Sequence, residues 1–147
     1  MKLLLVLSAL VGAPVAAGSQ AHCPNSGLSV HPVSFTTVKG RFAYKVEVAA
    51  TPEQQECGLM YRKKMPRNVG MDFPFAEPRP ATFWMENTDL PLDLVFVGPD
   101  GRVVSVGNGV PYSRALIESG GVTKRVIELN AGEAKRIGLQ PGDKVKG

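Results

Sequence analysis

Histidine is scarce in this chain of 147 residues, and the scarcity removes whole classes of chemistry. Only His22 and His31 occur, both in the N-terminal segment. A nucleophilic cysteine would therefore have no base outside that segment, and Asp89, Ser113 and Ser119 are followed by no histidine. Zinc-type spacing and a glycine-rich phosphate loop are absent too. No metal or other cofactor is expected. Charge of one sign is also in short supply: the formal net charge is +4 and falls by one when Lys2 is excluded. Apart from Arg62-Lys63-Lys64 the basic residues are scattered among acidic ones, with no basic stripe, so nucleic acid is not an expected partner.

Long apolar runs are missing, with one exception at the N-terminus. Lys2 precedes the run Leu3–Val11, and Gly12 and Pro14 interrupt the chain before the small residues Val15-Ala16-Ala17. This layout predicts a secretory signal peptide over residues 1–17, with cleavage as late as residue 21 as the alternative. The run is shorter than the ~20 residues that span a bilayer, so no stable membrane insertion is expected after cleavage. No arginine pair precedes it, which favours general secretion, and His22 before Cys23 disfavours lipid attachment. The expected location is the periplasm or the exterior of the cell. About 130 residues then remain, enough for one core. Residues 18–27 are small, polar and unpatterned, and read as a flexible tail; residues 28–147 read as a single domain.

Within that domain the dominant signal is alternation. Phe42, Tyr44, Val46 and Val48 alternate with Arg41, Ala43, Lys45 and Glu47, as a half-buried strand requires, and Val38–Arg41 reads as the turn from a strand over Val33–Val38. Leu92–Val97 and Arg102–Val106 flank Gly98-Pro99-Asp100-Gly101, a hairpin signal. Ala81–Asn87, Val122–Leu129 and a short Lys144–Lys146 are strand-like as well. Two helices interrupt them. Thr51, Pro52 and Gln54 form a capping box with proline at the first helical position, ending near Gly58; Asn130 and Glu133 repeat the arrangement before Gly138. The expected fold is mainly β, a compact antiparallel sandwich or partly closed barrel with two short α-helices. A disulfide between the two cysteines, Cys23 and Cys57, would close a loop of about 35 residues and contribute roughly 3 to 4 kcal/mol. A buried Cys57 thiol in its apolar context is the other reading.

The phrases CGLMYRKKMP, GMDFPF, EPRP, FWMENTDLPLDLVFVGPDGRVVSV and RVIELNAGEAKRIGLQPGD resemble the DUF192 family of uncharacterised proteins. The resemblance runs from Tyr44 to Val145 and centres on Phe83-Trp84-Met85-x-Asn87-Thr88-x-x-Pro91-Leu92-Asp93. It implies a small, often exported domain with a jelly-roll-like or barrel-like β fold, and no established activity or catalytic residue. Glu86 stands where that family commonly has a lysine, and Asp72 where an apolar residue is usual. Both departures add negative charge.

Three groups of residues could carry function. Trp84, the only tryptophan, with Asn87, Thr88 and Asp93 would suit a pocket whose ring stacks on a small polar or saccharide-like ligand while the polar groups read its hydroxyls. Arg62 would neutralise an anionic group, and an envelope protein is the alternative partner. The structural reading of the same residues is a turn at Asn87-Thr88-Asp89 and a core tryptophan. Met60, Met65, Met71 and Met85 could hold copper(I) or simply fill the core. Carboxylate pairs, Glu77 with Asp93 or Glu86 with Asp89, could serve a hydrolase or lyase acting on an envelope or extracellular polymer. A non-catalytic binding or accessory module is the function expected first.

Overall fold

Alternation turns into strand wherever both faces of the resulting sheet can be covered, and here nearly every alternating segment does so. The computed structural model describes residues 23–147; the expected signal peptide and residues 18–22 of the expected tail lie outside the described residues. Seven strands occur: β1 (Val30–Thr37), β2 (Gly40–Val48), β3 (Val69–Phe83), β4 (Leu92–Val97), β5 (Val103–Gly109), β6 (Ile117–Asn130) and β7 (Lys144–Lys146). Helix α1 (Pro52–Cys57) separates β2 from β3, and α2 (Glu133–Ile137) follows β6. The strands form one sheet in the order β5-β4-β6-β3-β2-β1-β7. All neighbours are antiparallel except β2 and β3, which run parallel because α1 carries the chain across.

The sheet curls into a half-barrel. Its two edges meet at one end, where Arg102 bridges Lys144, the Val103 N–H donates to the Asp143 carbonyl at 2.9 Å, and the Val145 N–H donates to Gly101 at 2.8 Å. The mainly β architecture expected from alternation is therefore the observed one. The β4–β5 hairpin turns through Gly98–Gly101, with Gly101 at φ 72°, a conformation that a residue with a Cβ rarely adopts. In β3 the register with β6 shifts between Pro74 and Arg79, where Pro74, Pro78 and Pro80 offer no ladder donors.

Three local expectations need correction, and one stretch of strand carried no expectation. Strand does not extend over Ala81–Asn87: β3 ends at Phe83, and Trp84–Asn87 lie in a loop. The Thr88 N–H turns back to the Met85 carbonyl at 3.2 Å, and Asn87 adopts φ 53°, which breaks the extended path. Asn130 does not cap α2; its amide donates to the Met65 and Pro66 carbonyls, and the cap residue is Gly132, which has no side chain to offer. Residues 69–75, unassigned from alternation, form the first half of β3. Residues 23–27 are pinned rather than loose: Cys23 and Cys57 are disulfide-bonded, and the Asn25 amide donates to Gly58 at 3.1 Å and Met60 at 2.9 Å.

Two apolar clusters occupy opposite faces of the sheet. Leu92, Leu94 and Phe96 of β4 join Met71, Phe73 and Val126 on one face, covered by Leu59, Met65 and Leu90 from the connecting loops. Val95 and Val97 join Phe35, Val46, Ile127 and Leu129 on the other, where Ile137 of α2 closes the layer. All six residues of β4 are buried as a result. Alternation in β6 places Glu128 on the face of Val126, beneath α1 and the loop that follows it.

Candidate functional site

Helix α1 forms where the sequence announces it. The Thr51 hydroxyl accepts from the Gln54 N–H at 3.2 Å, the Gln54 side chain accepts from the Thr51 N–H at 3.1 Å, and Pro52 occupies the first turn. Gly58 ends it at φ 49°, and a Cβ there would meet the Phe73 ring at 3.2 Å. The close approach lets the loop after α1 lie flat on the sheet. The Tyr61 N–H then donates to the Asn87 carbonyl at 2.9 Å, tying that loop to the one that carries Trp84.

Between these loops Trp84 stands 45 % exposed, with a hollow on either side. One has a volume of about 340 Å³ and is walled by Glu53, Glu56, Met60, Tyr61, Glu86 and Asn87, with the disulfide at its edge. The other, about 270 Å³, carries Gln55, Phe75, Arg79 and Thr82. Under the tryptophan a smaller cavity of about 30 Å³ reaches the sheet, bounded by Leu59, Phe73, Phe83, Thr88 and Glu128. Glu56, Cys57, Met60 and Trp84 line both this cavity and the larger outer hollow, so the two adjoin. A still larger hollow of about 530 Å³ lies beyond Met60 and Tyr61. Its charged residues, Glu47 and Arg62, already neutralise each other, which makes it the weaker candidate.

Of the five residues expected from sequence to bind a ligand, Trp84, Asn87, Thr88, Asp93 and Arg62, the structure brings Trp84 and Asn87 to the outer hollow and directs the other three elsewhere. Thr88 is buried and donates its hydroxyl to the Glu86 carbonyl at 3.0 Å, a turn bond, although it also borders the small cavity. Asp93 lies on the opposite face of the sheet, where its Oδ2 accepts the Ala134 N–H at 2.9 Å. It supplies the N-terminal acceptor that Gly132 cannot. Burial raises the Asp93 pKa, against the pull of the Ala134 and Gly132 amides. Arg62 grips Glu47 with both nitrogens, at 2.5 and 3.0 Å, and also donates to the Asn25 carbonyl. It clamps the N-terminal segment to β2 and has little capacity left for an anion.

The carboxylate pairs do not converge. Glu77 is exposed on the shifted stretch of β3 while Asp93 is buried under α2. Glu86 pairs with Arg114, and Asp89 pairs with Lys63 at 2.7 Å and accepts from the Tyr112 hydroxyl. The Lys63 hydrogen bond, then that of Tyr112, hold the Asp89 carboxyl below its ordinary range. Met65, Met71 and Met85 are buried in the apolar core, and only Met60 reaches the hollow. Of the two unusual acids, Asp72 is buried in an ion pair with Arg125 at 2.6 Å, and Glu86 lines the outer hollow.

Glu128 is the site residue that sequence reading missed. It is 5 % exposed, between Met71 of β3 and Leu94 of β4, and among the described residues its carboxyl has no hydrogen-bond or ion-pair partner. Among the described residues no fully enclosed side-chain nitrogen or oxygen lacks a partner, so the Glu128 oxygens border the cavity rather than solid protein. Burial pushes its pKa up to about 8. A signal was present: one acid inside the apolar stretch Val126-Ile127-Glu128-Leu129.

The comparisons with known proteins agree with this fold. No curated protein matches the chain. A protein of unknown function from Novosphingobium aromaticivorans is 43 % identical in sequence, superposes with a TM-score of 0.81, and aligns over 92 % of this chain and 99 % of its own. A candidate transcription regulator from Sinorhizobium meliloti, also 43 % identical, has a TM-score of 0.78 over 82 % of this chain and 95 % of its own. The DUF192 family, described as "Uncharacterized ACR", matches residues 34–147, and the chain belongs to it.

Proposed function

We propose that this protein is an exported, non-catalytic module that binds a small polar ligand beside Trp84, in the periplasm or outside the cell. One observation carries the reading: the only tryptophan, half-exposed, walls a hollow of about 340 Å³ in which an amide and several carboxylates face it. An indole ring is a large stacking surface, and leaving it in water forgoes the gain from burying it. A ligand that covers the ring and meets Asn87 recovers that gain. The Cys23–Cys57 bond at the rim of the hollow supports an oxidising compartment, in keeping with the leader-like N-terminus. Thr88, Asp93 and Arg62 are no longer part of the reading, since each is engaged elsewhere. A nucleic-acid role, which the description of the Sinorhizobium neighbour raises, is disfavoured by scattered basic residues and an acidic hollow.

The test is a titration of the purified protein with small polar compounds, read by fluorescence. Binding should quench or shift the Trp84 emission. Trp84→Ala should abolish affinity measured by calorimetry while leaving the melting temperature within a few degrees, because a half-exposed ring contributes little to the core. A mutant that unfolds, or that binds as well as the parent, would remove Trp84 from the site.

A further inference from the structure

Building on the reading that Trp84 walls a ligand site, we propose that its ligand is an organic cation, with an ammonium group seated in the small cavity against Glu128. Four buried acids occur among the described residues. Asp72 has Arg125, Asp93 has the Ala134 N–H, and Glu133 has Arg136 and the Tyr44 hydroxyl. Glu128 alone has nothing. A buried carboxylate without a partner is costly, so the group either stays neutral or receives a cation.

The cavity fits such a head group. Its volume of about 30 Å³ exceeds the room one water-sized group needs. Phe73, Phe83 and Trp84 form its walls, and aromatic faces attract an ammonium group more strongly when water is excluded. The approach is acidic as well. Glu53 and Glu56 line the outer hollow with no ion-pair partner among the described residues, Glu86 lines it paired with Arg114, and no residue lining it is basic; Arg79 lies in the hollow on the other side of Trp84. Carboxylates concentrated in a low-dielectric cleft raise the local density of cations. A metal ion fits less well: among the described residues no three His, Cys, Asp or Glu side chains converge, and one carboxylate among rings is a poor ligand set.

Binding carries a proton signature. With its pKa near 8 the free Glu128 carboxyl is largely neutral at pH 7. Seating an ammonium against it forms a carboxylate–ammonium pair and releases the carboxyl proton to solvent. The other groups around Glu128 are apolar side chains of β3, β4 and the Leu59–Met60 loop, Trp84, Gln55 and Glu56 of α1, and Thr88, whose hydroxyl is donated to the Glu86 carbonyl. Glu56 is exposed, which leaves Glu128 as the group that gives up the proton.

Matched pairs test the inference: propylammonium against 1-propanol and ethanolammonium against ethylene glycol, with glucose as a neutral saccharide. Trp84 fluorescence and calorimetry in two buffers of different ionisation heat are the readouts. The ammonium member should bind at least about tenfold tighter, release close to one proton at pH 7, and gain up to about tenfold in affinity per pH unit between about 6 and 8. Glu128→Gln, close to isosteric, should erase the preference, and the proton count on the unaltered protein stands even if that variant folds poorly. Equal binding of both members, a preference that survives in Glu128→Gln, or no response to any probe would overturn the inference. If neutral probes bind equally and Trp84→Ala abolishes the response, only the cation assignment falls. If the ammonium preference persists undiminished in Trp84→Ala, it is the Trp84 reading that fails.

Discussion

At position 128 a glutamate takes the place that alternation reserves for an apolar side chain, and its consequence for stability has a definite sign. In the unfolded chain this group titrates near its ordinary 4.5, whereas burial raises it to about 8 in the fold. Between those values the folded protein holds a proton that the unfolded chain has released. The stability contributed by the raised pKa is fully present below about pH 4.5, is lost as pH rises, and levels off above about 8. Glu128→Gln should therefore flatten the fall in melting temperature across that window, its advantage growing to a few kcal/mol at the alkaline end. A melting series from pH 4 to pH 9, run against the parent protein, would show a parallel pair of curves if Glu128 were not the group responsible. Asp93 answers a different question. Asp93→Ala strands the Ala134 N–H under α2 and should cost about 1 to 3 kcal/mol in denaturant unfolding while leaving the Trp84 response unchanged.

Among the elements, α1 shows how local sequence and long-range contact divide the labour. Thr51, Pro52, Gln54 and Gly58 specify its start and end within a few residues of chain, so its position is readable without any tertiary knowledge. Six residues make a poor helix in isolation, and its persistence depends on what holds it to the sheet. The Cys23–Cys57 bond, across a sequence separation of 34, ties the N-terminal segment to its last residue, and Asn25 bonds the two carbonyls beyond. Replacing both cysteines by serine should lower stability by roughly 3 to 4 kcal/mol. Amide exchange should rise first at Tyr61, whose N–H bridges to the Trp84 loop, if the bond organises the cleft. Unchanged exchange at Tyr61 would confine the bond to the tail. Helix α2 is the converse case. Its acceptor comes from Asp93, 41 residues earlier in the chain, and no window of neighbouring residues could have revealed it.

Across the whole molecule, stability comes from a sheet buried on both faces and joined edge to edge. Removing residues 143–147 should open the seam, speeding amide exchange at Val103 on the opposite edge and lowering the melting temperature. Protection of Val103 that survives the deletion would mean that the curl is set by β4 and β6 alone. The sequence by itself determined the β class, the α1 cap, the two hairpin turns and the family, because alternation, capping and turn chemistry act between residues close in the chain. It also marked Trp84 and Asn87, since a lone tryptophan beside short polar residues is conspicuous anywhere. Only the tertiary structure decided that Asp93 and Arg62 serve the framework and that Glu128 faces a cavity. Those roles depend on which sheet face is covered and by what, and that is fixed when strands distant in sequence pair and the loops between them pack down on one face.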